Sequence, residues 1–120
     1  PDVIHEQTTL ESQSLIYRLS GDRNPLHADP QWAKMGQFEK PILHGLSTFG
    51  FATRAIMTHF CDNDGDKLTS IGVRFAKHVF PGETLVTHMW KTSATDIVFQ
   101  VKSKQRDIIV LSNATATIKG

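Results

Sequence analysis

The 120-residue sequence predicts an α+β domain in which an antiparallel sheet folds against one long helix, and three observations favour that class. Apolar residues recur with a helical period over about residues 44–60. After about residue 70, apolar and polar residues alternate instead, which is the period of a β-strand. Short turns separate the alternating segments, and strands joined by short links pair in antiparallel fashion.

The central helix is predicted from about His44 to Phe60. Because its apolar residues wrap most of the circumference, we expect it to be buried. It would be on the order of 24 Å long, the length of a small sheet, so it is the natural cover for the sheet's apolar face. The apolar positions are Leu46, Phe49, Phe51, Ala52, Ala55, Ile56, Met57 and Phe60.

Local patterns predict the remaining elements. Four strands are expected over about residues 71–76, 84–90, 97–101 and 108–118, with turns at Pro81-Gly82, 91–95 and 104–107. In the first half, Thr8 and Glu11 have the spacing of a capping box and predict a helix over about residues 9–19. Asp29-Pro30 predicts the start of a second, short helix that continues through Met35.

Length and composition predict one domain over residues 1–120 and exclude several function classes. Thirteen Lys and Arg against 12 Asp and Glu leave a net charge of +1, which argues against a nucleic-acid partner recognised by bulk charge. No apolar run approaches the roughly 18 residues of a membrane span, so membrane insertion is not expected. Since the chain begins with Pro1 and shows no targeting signal, we expect a piece excised from a larger two-domain or multidomain protein.

The densest polar cluster covers residues 20–27 and contains Asp22, Asn24 and His27. It is a loop punctuated by Gly and Pro between two predicted helices, and loops on rigid scaffolds often carry chemistry. A carboxylate and an imidazole in one loop can act as an acid–base pair. The residues alone equally allow a helix C-cap, an Asx-turn and a solvated histidine, so both interpretations stay open here.

A second candidate is the segment 40–47, which leads into the central helix and contains His44, Gly45 and Ser47. The first amides of a helix have no intrahelical acceptor and carry the positive end of its dipole. With no side chain in the way, the Gly45 amide can approach a developing oxyanion closely. The alternative, compatible interpretation is that Gly45 permits tight packing at a helix start.

Other polar residues give weaker signals. The six histidines show no His-x-x-x-His spacing, and Cys61 is single, so neither a metal site nor a disulfide is expected. Arg74 and Lys77 flank a strand end, where they are most often a solvated edge and could alternatively meet the phosphates of a ligand. Phe49 is a core residue by default and could instead line an acyl tunnel, since periodicity does not separate these roles.

Three blocks of the sequence, in matching order and spacing, resemble the MaoC-like, R-specific enoyl-CoA hydratases, or hydratase 2 family. They are Tyr17–Pro30, which contains the specific Asp22-Arg23-Asn24-Pro25-Leu26-His27 run, then Gly36–Leu46 and Arg74–Leu85. The likeness covers about residues 8–118, and it is greatest to the C-terminal, catalytic half of the hydratase 2 unit in peroxisomal multifunctional enzymes of type 2.

The resemblance implies a hot-dog fold, a curved antiparallel sheet wrapped around a long helix. It also implies hydration of trans-2-enoyl-CoA to the (3R)-hydroxyacyl-CoA in fatty acid β-oxidation, with no cofactor beyond the coenzyme A of the substrate. The catalytic residues it implies are Asp22, His27, Asn24 and Gly45. The substrate-binding positions it implies are His44, Ser47, Phe49, Arg74, Phe75 and Lys77.

The resemblance further implies a peroxisomal location, or a cytoplasmic one if the protein is bacterial, and pairing with a second hot-dog domain or a second copy. Two other classes remain alternatives. A hot-dog thioesterase would bind the same acyl-CoA and attack its carbonyl, and a non-catalytic acyl-CoA-binding half would bind without turnover. The Asp22–His27 run favours the hydratase over both.

Overall fold

The computed structural model describes residues 1–10, 13 and 42–119, and within them the chain forms five strands and one α-helix. The predicted helices over 9–19 and after Asp29 lie outside the described residues, apart from Gln13, which is helical. The elements are β1 (Val3–Thr8), α1 (Gly45–Phe60), β2 (Leu68–Phe75), β3 (Thr84–Lys91), β4 (Asp96–Ser103) and β5 (Ile108–Ile118), with a 3₁₀ turn at Gly65–Lys67 before β2.

The strands form one sheet in the order β1-β3-β4-β5-β2, and every neighbouring pair is antiparallel. Met89 of β3 lies opposite Phe99 of β4, and this register places both side chains on the covered face of the sheet. The α+β prediction and the positions of α1 and of the last four strands are therefore confirmed.

The core lies between α1 and the sheet. Ala52, Ala55 and Ile56 of the helix are fully buried. Two small side chains, one turn apart, allow the helix to approach the strands closely, since the packing distance depends on the side chains at the contact. The main sheet residues that they face across the core are Leu85, Met89, Ile97, Phe99, Val101, Val110, Leu111, Ala114 and Ala116.

The expectation that the helix is buried all round is wrong. Leu46 is 66% exposed, and Gly45, Gly50 and Arg54 are exposed as well. The apolar count over the helix did not distinguish residues that face the sheet from residues that face outward.

The start of the chain also differs from the prediction. β1 is an edge strand paired with β3, and Thr8 is its last residue, with its hydroxyl 2.9 Å from Thr84 Oγ1 rather than capping a helix. The half-buried residues of β1 are Val3, His5 and Gln7. Because two of these three are polar, the alternation that would reveal a strand is absent from the sequence.

Candidate active site at the start of the central helix

The start of α1 offers backbone donors. His44 precedes the helix in an extended conformation, with φ −61° and ψ 136°, and its side chain makes no capping hydrogen bond. Its carbonyl accepts from Ser47 N at 3.0 Å and from Thr48 N at 3.2 Å. In the described part of the chain no residue accepts a hydrogen bond from the Gly45 N–H, which is one of the amides that a helix cannot satisfy internally. Gly45 is an exposed residue, and its N–H lies at the positive end of the helix dipole.

The absence of a side chain at Gly45 has a visible consequence. A Cβ built there would lie 3.2 Å from Cε1 and 3.4 Å from Cδ1 of Phe75, the last residue of β2. The Phe75 ring therefore lies directly beside the helix start, although it is 52% exposed. Gly45 permits this close packing and leaves its amide accessible, so the two interpretations of this glycine are compatible.

A groove of about 270 Å³ begins next to this position. It runs along the first half of α1, from Leu46 through Gly50 to Arg54, which are spaced by one helical turn each. Ser47 and Phe51 complete its lining. The groove is therefore largely apolar along its length and carries one guanidinium, at Arg54.

A buried polar network lies in the connection between β2 and β3, residues 76–83, hereafter the 76–83 connection. Glu83 is only 8% exposed and pairs with Arg106, with Oε2 accepting from Nε at 2.6 Å and Oε1 from Nη2 at 2.7 Å. Glu83 also accepts from Ser103 Oγ at 2.6 Å and from Phe80 N at 2.6 Å. The Arg106 guanidinium lies 4.9 Å from the centre of the Phe80 ring, within cation–π range.

The network keeps Glu83 ionised. Burial alone would raise the pKa of this carboxyl, but the hydrogen bonds from Arg106, Ser103 and the Phe80 amide outweigh it and hold the pKa below its usual range. Because the folded state lowers the pKa, the resulting stability is present above the ordinary carboxyl pKa and is lost as the pH falls through the lowered one.

The structure brings together only part of the predicted site. Asp22, Asn24 and His27 lie outside the described residues, so their geometry stays a prediction. Gly45 and Phe75 are in contact range, and Ser47, which is 8% exposed, lines the groove. The other predicted substrate residues are a buried His44, a half-buried Phe49, and an exposed Arg74 and Lys77.

Several residues at the site were not predicted from the sequence. Leu46, Gly50 and Arg54 recur at intervals of four, and this spacing was available as a signal for one helix face. Glu83 follows Pro81-Gly82 inside the third block that resembles the family, but its partner Arg106 is 23 positions away and pairs with it only through the fold.

Two negative findings apply to residues 1–10, 13 and 42–119. They contain no group of three or more His, Cys, Asp or Glu side chains placed to hold a metal ion. No helix among them is both long and apolar enough to cross a membrane.

Comparisons with known proteins agree with the fold. A model of the MaoC-like domain family matches residues 1–114. The chain is 54% identical over 120 residues to the probable enoyl-CoA hydratase 2 of Dictyostelium discoideum, covering 99% of this chain and 41% of that protein. It is 51% identical over 114 residues to the peroxisomal multifunctional enzyme type 2 of Mus musculus, covering 95% of this chain and 15% of that protein.

Solved structures give the same result. The full-length peroxisomal multifunctional enzyme type 2 of Drosophila melanogaster superposes with a TM-score of 0.96 at 44% identity, covering 99% of this chain and 22% of that one. A MaoC-like dehydratase from Phytophthora capsici superposes with a TM-score of 0.97 at 41% identity, covering 99% and 42%. The chain thus spans less than half the length of each of these four proteins. The hot-dog fold is confirmed, and the chain belongs to the MaoC-like domain family.

Proposed function

We propose that the chain catalyses hydration of a trans-2-enoyl-CoA to the (3R)-hydroxyacyl-CoA, a step of fatty acid β-oxidation. The observation that carries the proposal is the N–H of the exposed Gly45, which has no acceptor among the described residues and stands at the start of α1. It is supported by 54% identity over 120 residues to a probable enoyl-CoA hydratase 2.

The Gly45 amide would act on the thioester carbonyl. Water attacks C3 of the enoyl group only if negative charge can accumulate on the carbonyl oxygen. A preorganised N–H aimed at that oxygen is worth about 3–4 kcal/mol in such reactions, because it needs no reorganisation when the charge develops. The dipole of α1 adds to the same field.

Asp22 and His27 would handle the water and the proton. As the water oxygen bonds to C3, the C2–C3 double bond becomes single, and one proton must reach C2. Asp22 would act as the base that accepts the proton from water, and His27 would orient the water and share the proton transfer. Each positioned acid or base typically contributes about 10²–10⁴-fold. The division of roles between the two is not separable if their titrations are coupled, and Asn24 would position both.

The substrate would extend from Gly45 in two directions. Ser47 and Phe49 of α1 would contact the acyl part, together with His44 and Phe75 beside the helix start. Arg74 and Lys77 are exposed at the end of β2 and the beginning of the 76–83 connection. We infer that they meet the phosphates of coenzyme A, which suits their charge and their accessibility.

The proposal includes a partner, a location and the absence of a resident cofactor. β1 and β2 are the edge strands of the sheet, so a second hot-dog domain, from another copy or another part of a longer chain, would pair beside one of them. Sedimentation of a fully active monomer would contradict this pairing. A peroxisomal location rests on the relatives named above. Hydration is redox-neutral and needs no electron carrier. We further propose that it needs no metal, so we expect full activity in EDTA after dialysis.

The decisive assay follows crotonyl-CoA with the parental chain and with Asp22→Asn. We expect the variant to stay folded and to lose at least about 100-fold in kcat, since the amide cannot accept the proton. Asp66→Asn, an exposed carboxylate on the 3₁₀ turn, is the matched control and should hydrate at the parental rate. Asp22→Asn turning over at that rate would refute the assignment.

The same assay distinguishes a hydratase from a thioesterase. Loss of the enoyl absorbance without release of free thiol indicates hydration, and chiral analysis of the product tests the R configuration. Release of free thiol, which also abolishes the absorbance of the conjugated thioester, would indicate a thioesterase instead.

A further inference from the structure

The proposed mechanism gives no role to the ion pair between the buried Glu83 and the half-buried Arg106. Neither residue lines the groove beside α1. The pair nevertheless fixes the backbone of the 76–83 connection at two points besides Glu83 itself. Glu83 Oε1 accepts from Phe80 N at 2.6 Å, and Arg106 Nη2 donates to the His78 carbonyl at 2.7 Å. Val79 lies between these two points.

The 76–83 connection in turn holds two other parts of the chain. Leu43 N donates to the Val79 carbonyl at 2.7 Å, two residues before Gly45. On the other side, Thr9 N donates to the Glu83 carbonyl at 3.0 Å, and Thr9 Oγ1 donates to the same oxygen at 2.8 Å. Gly82 N donates to Thr9 Oγ1 at 2.9 Å. Thr9 and Leu43 are each 3% exposed, so these bonds are shielded from water.

Residues 10–42, which contain Asp22 and His27, therefore start and end on one short piece of backbone. The same piece leads through Leu43 to the Gly45 amide. A shift of the connection would move both ends of the segment, and it would move them relative to the helix start. Misplacement of catalytic groups by about 1 Å can cost about 100-fold in rate.

We propose that Glu83 and Arg106 are positioning residues, which hold Thr9 and Leu43, the described residues on either side of the stretch that contains Asp22 and His27, in register with the Gly45 amide through the 76–83 connection. This inference rests on the proposed hydratase function. Arginine suits the task because its planar fork bonds both carboxylate oxygens and still reaches the His78 carbonyl, whereas a lysine ammonium acts as a single point charge.

The test uses Arg106→Ala, with Asp107→Asn as matched control. Asp107 is the next residue, is exposed, and forms a surface ion pair with Lys102. At a temperature where both variants are folded, we expect kcat of Arg106→Ala for crotonyl-CoA to fall about 10- to 100-fold while KM changes less than about twofold. Asp107→Asn should keep the parental kcat.

Chemical rescue distinguishes positioning from general support of the fold. The Arg106 side chain is 27% exposed, so its removal leaves a space open to solvent. Low millimolar guanidinium, which restores the planar donors, should recover much of the lost kcat, and methylammonium should not. Glu83→Gln, which keeps the shape and the acceptor for Phe80 N, serves if Arg106→Ala does not fold, and it should show the same split between kcat and KM.

Amide hydrogen exchange gives a readout that does not depend on turnover. In Arg106→Ala the amides of Thr9 and Leu43 should exchange at least about tenfold faster, while Ala114 in the core of β5 keeps its protection. A folded variant with parental kcat and parental exchange at both amides would overturn the inference. So would exchange that rises equally at Ala114. An inactive parental chain would refute the proposed function alone, because the exchange result would still stand.

Discussion

The two faces of α1 lie in different environments. The inner face presents Ala52, Ala55 and Ile56, all fully buried against the sheet. The outer face presents Leu46, Gly50 and Arg54, which are exposed and border a groove of about 270 Å³. Among the described residues, one helix thus closes the core on one side and presents apolar surface on the other.

The difference shows where stability and function separate in this fold. Burial of the inner face contributes to folding, since apolar surface is removed from water. Leu46 is 66% exposed, so it contributes little to folding through burial. The two faces should therefore respond to mutation in opposite ways.

The largest effect is expected for Ile56→Ala on the inner face. Removing three methyl or methylene groups from a fully buried site should lower the free energy of unfolding by about 4 kcal/mol, measured by denaturant titration. Leu46→Ala on the outer face is the control and should change it by no more than about 0.5 kcal/mol. Equal losses at the two positions would show that the outer face is also packed.

The next largest effect is expected for substitutions of Gly45 at the helix start, and it is measured as a change in kcat. Gly45→Pro removes the N–H donor and adds a Cβ, and it is compatible with the helix because proline is tolerated at the first helical position and the extended His44 suits a following proline. Gly45→Ala keeps the N–H but places a Cβ against the Phe75 ring, so it is the matched steric control. We expect kcat of Gly45→Pro to be about 10²- to 10³-fold below that of Gly45→Ala.

Two outcomes for Gly45→Pro and Gly45→Ala would contradict the proposed role of the amide. If both variants lose the same activity, the steric fit of Gly45 against Phe75 matters and its amide does not donate to the substrate. If neither loses activity, the oxyanion contact lies elsewhere and the candidate site is wrong.

The elements whose residues alternate or recur cleanly were predictable. The strand Ile108–Ile118 and the helix Gly45–Phe60 were predicted within one residue of their bounds, because apolar periodicity reports which side is buried. β1 was missed because its inward residues include His5 and Gln7. Its strand conformation comes from pairing with β3, a contact 80 or so positions away that no local pattern records.

The residues of the candidate site also divide into those that the sequence predicts and those that it does not. Gly45 was predictable, because a glycine at a helix start has a local physical meaning. The contact with Phe75 and the Glu83–Arg106 pair were not, since each joins elements that are distant in sequence. The proposed roles of Asp22 and His27 rest on a sequence signature, and kinetics of their variants will decide them.

The smallest effects are expected when one residue on each face of α1 is enlarged. A Cβ at Gly50 would meet none of the described residues within 4 Å, so Gly50→Ala should raise the free energy of unfolding by about 0.5–1 kcal/mol through the better helix propensity of alanine. Ala55→Val places its extra methyl groups in the packed core and should lower it by about 1–3 kcal/mol. A loss of stability in Gly50→Ala would mean that something covers the groove in solution, because only a neighbour at that position could make the added methyl unfavourable.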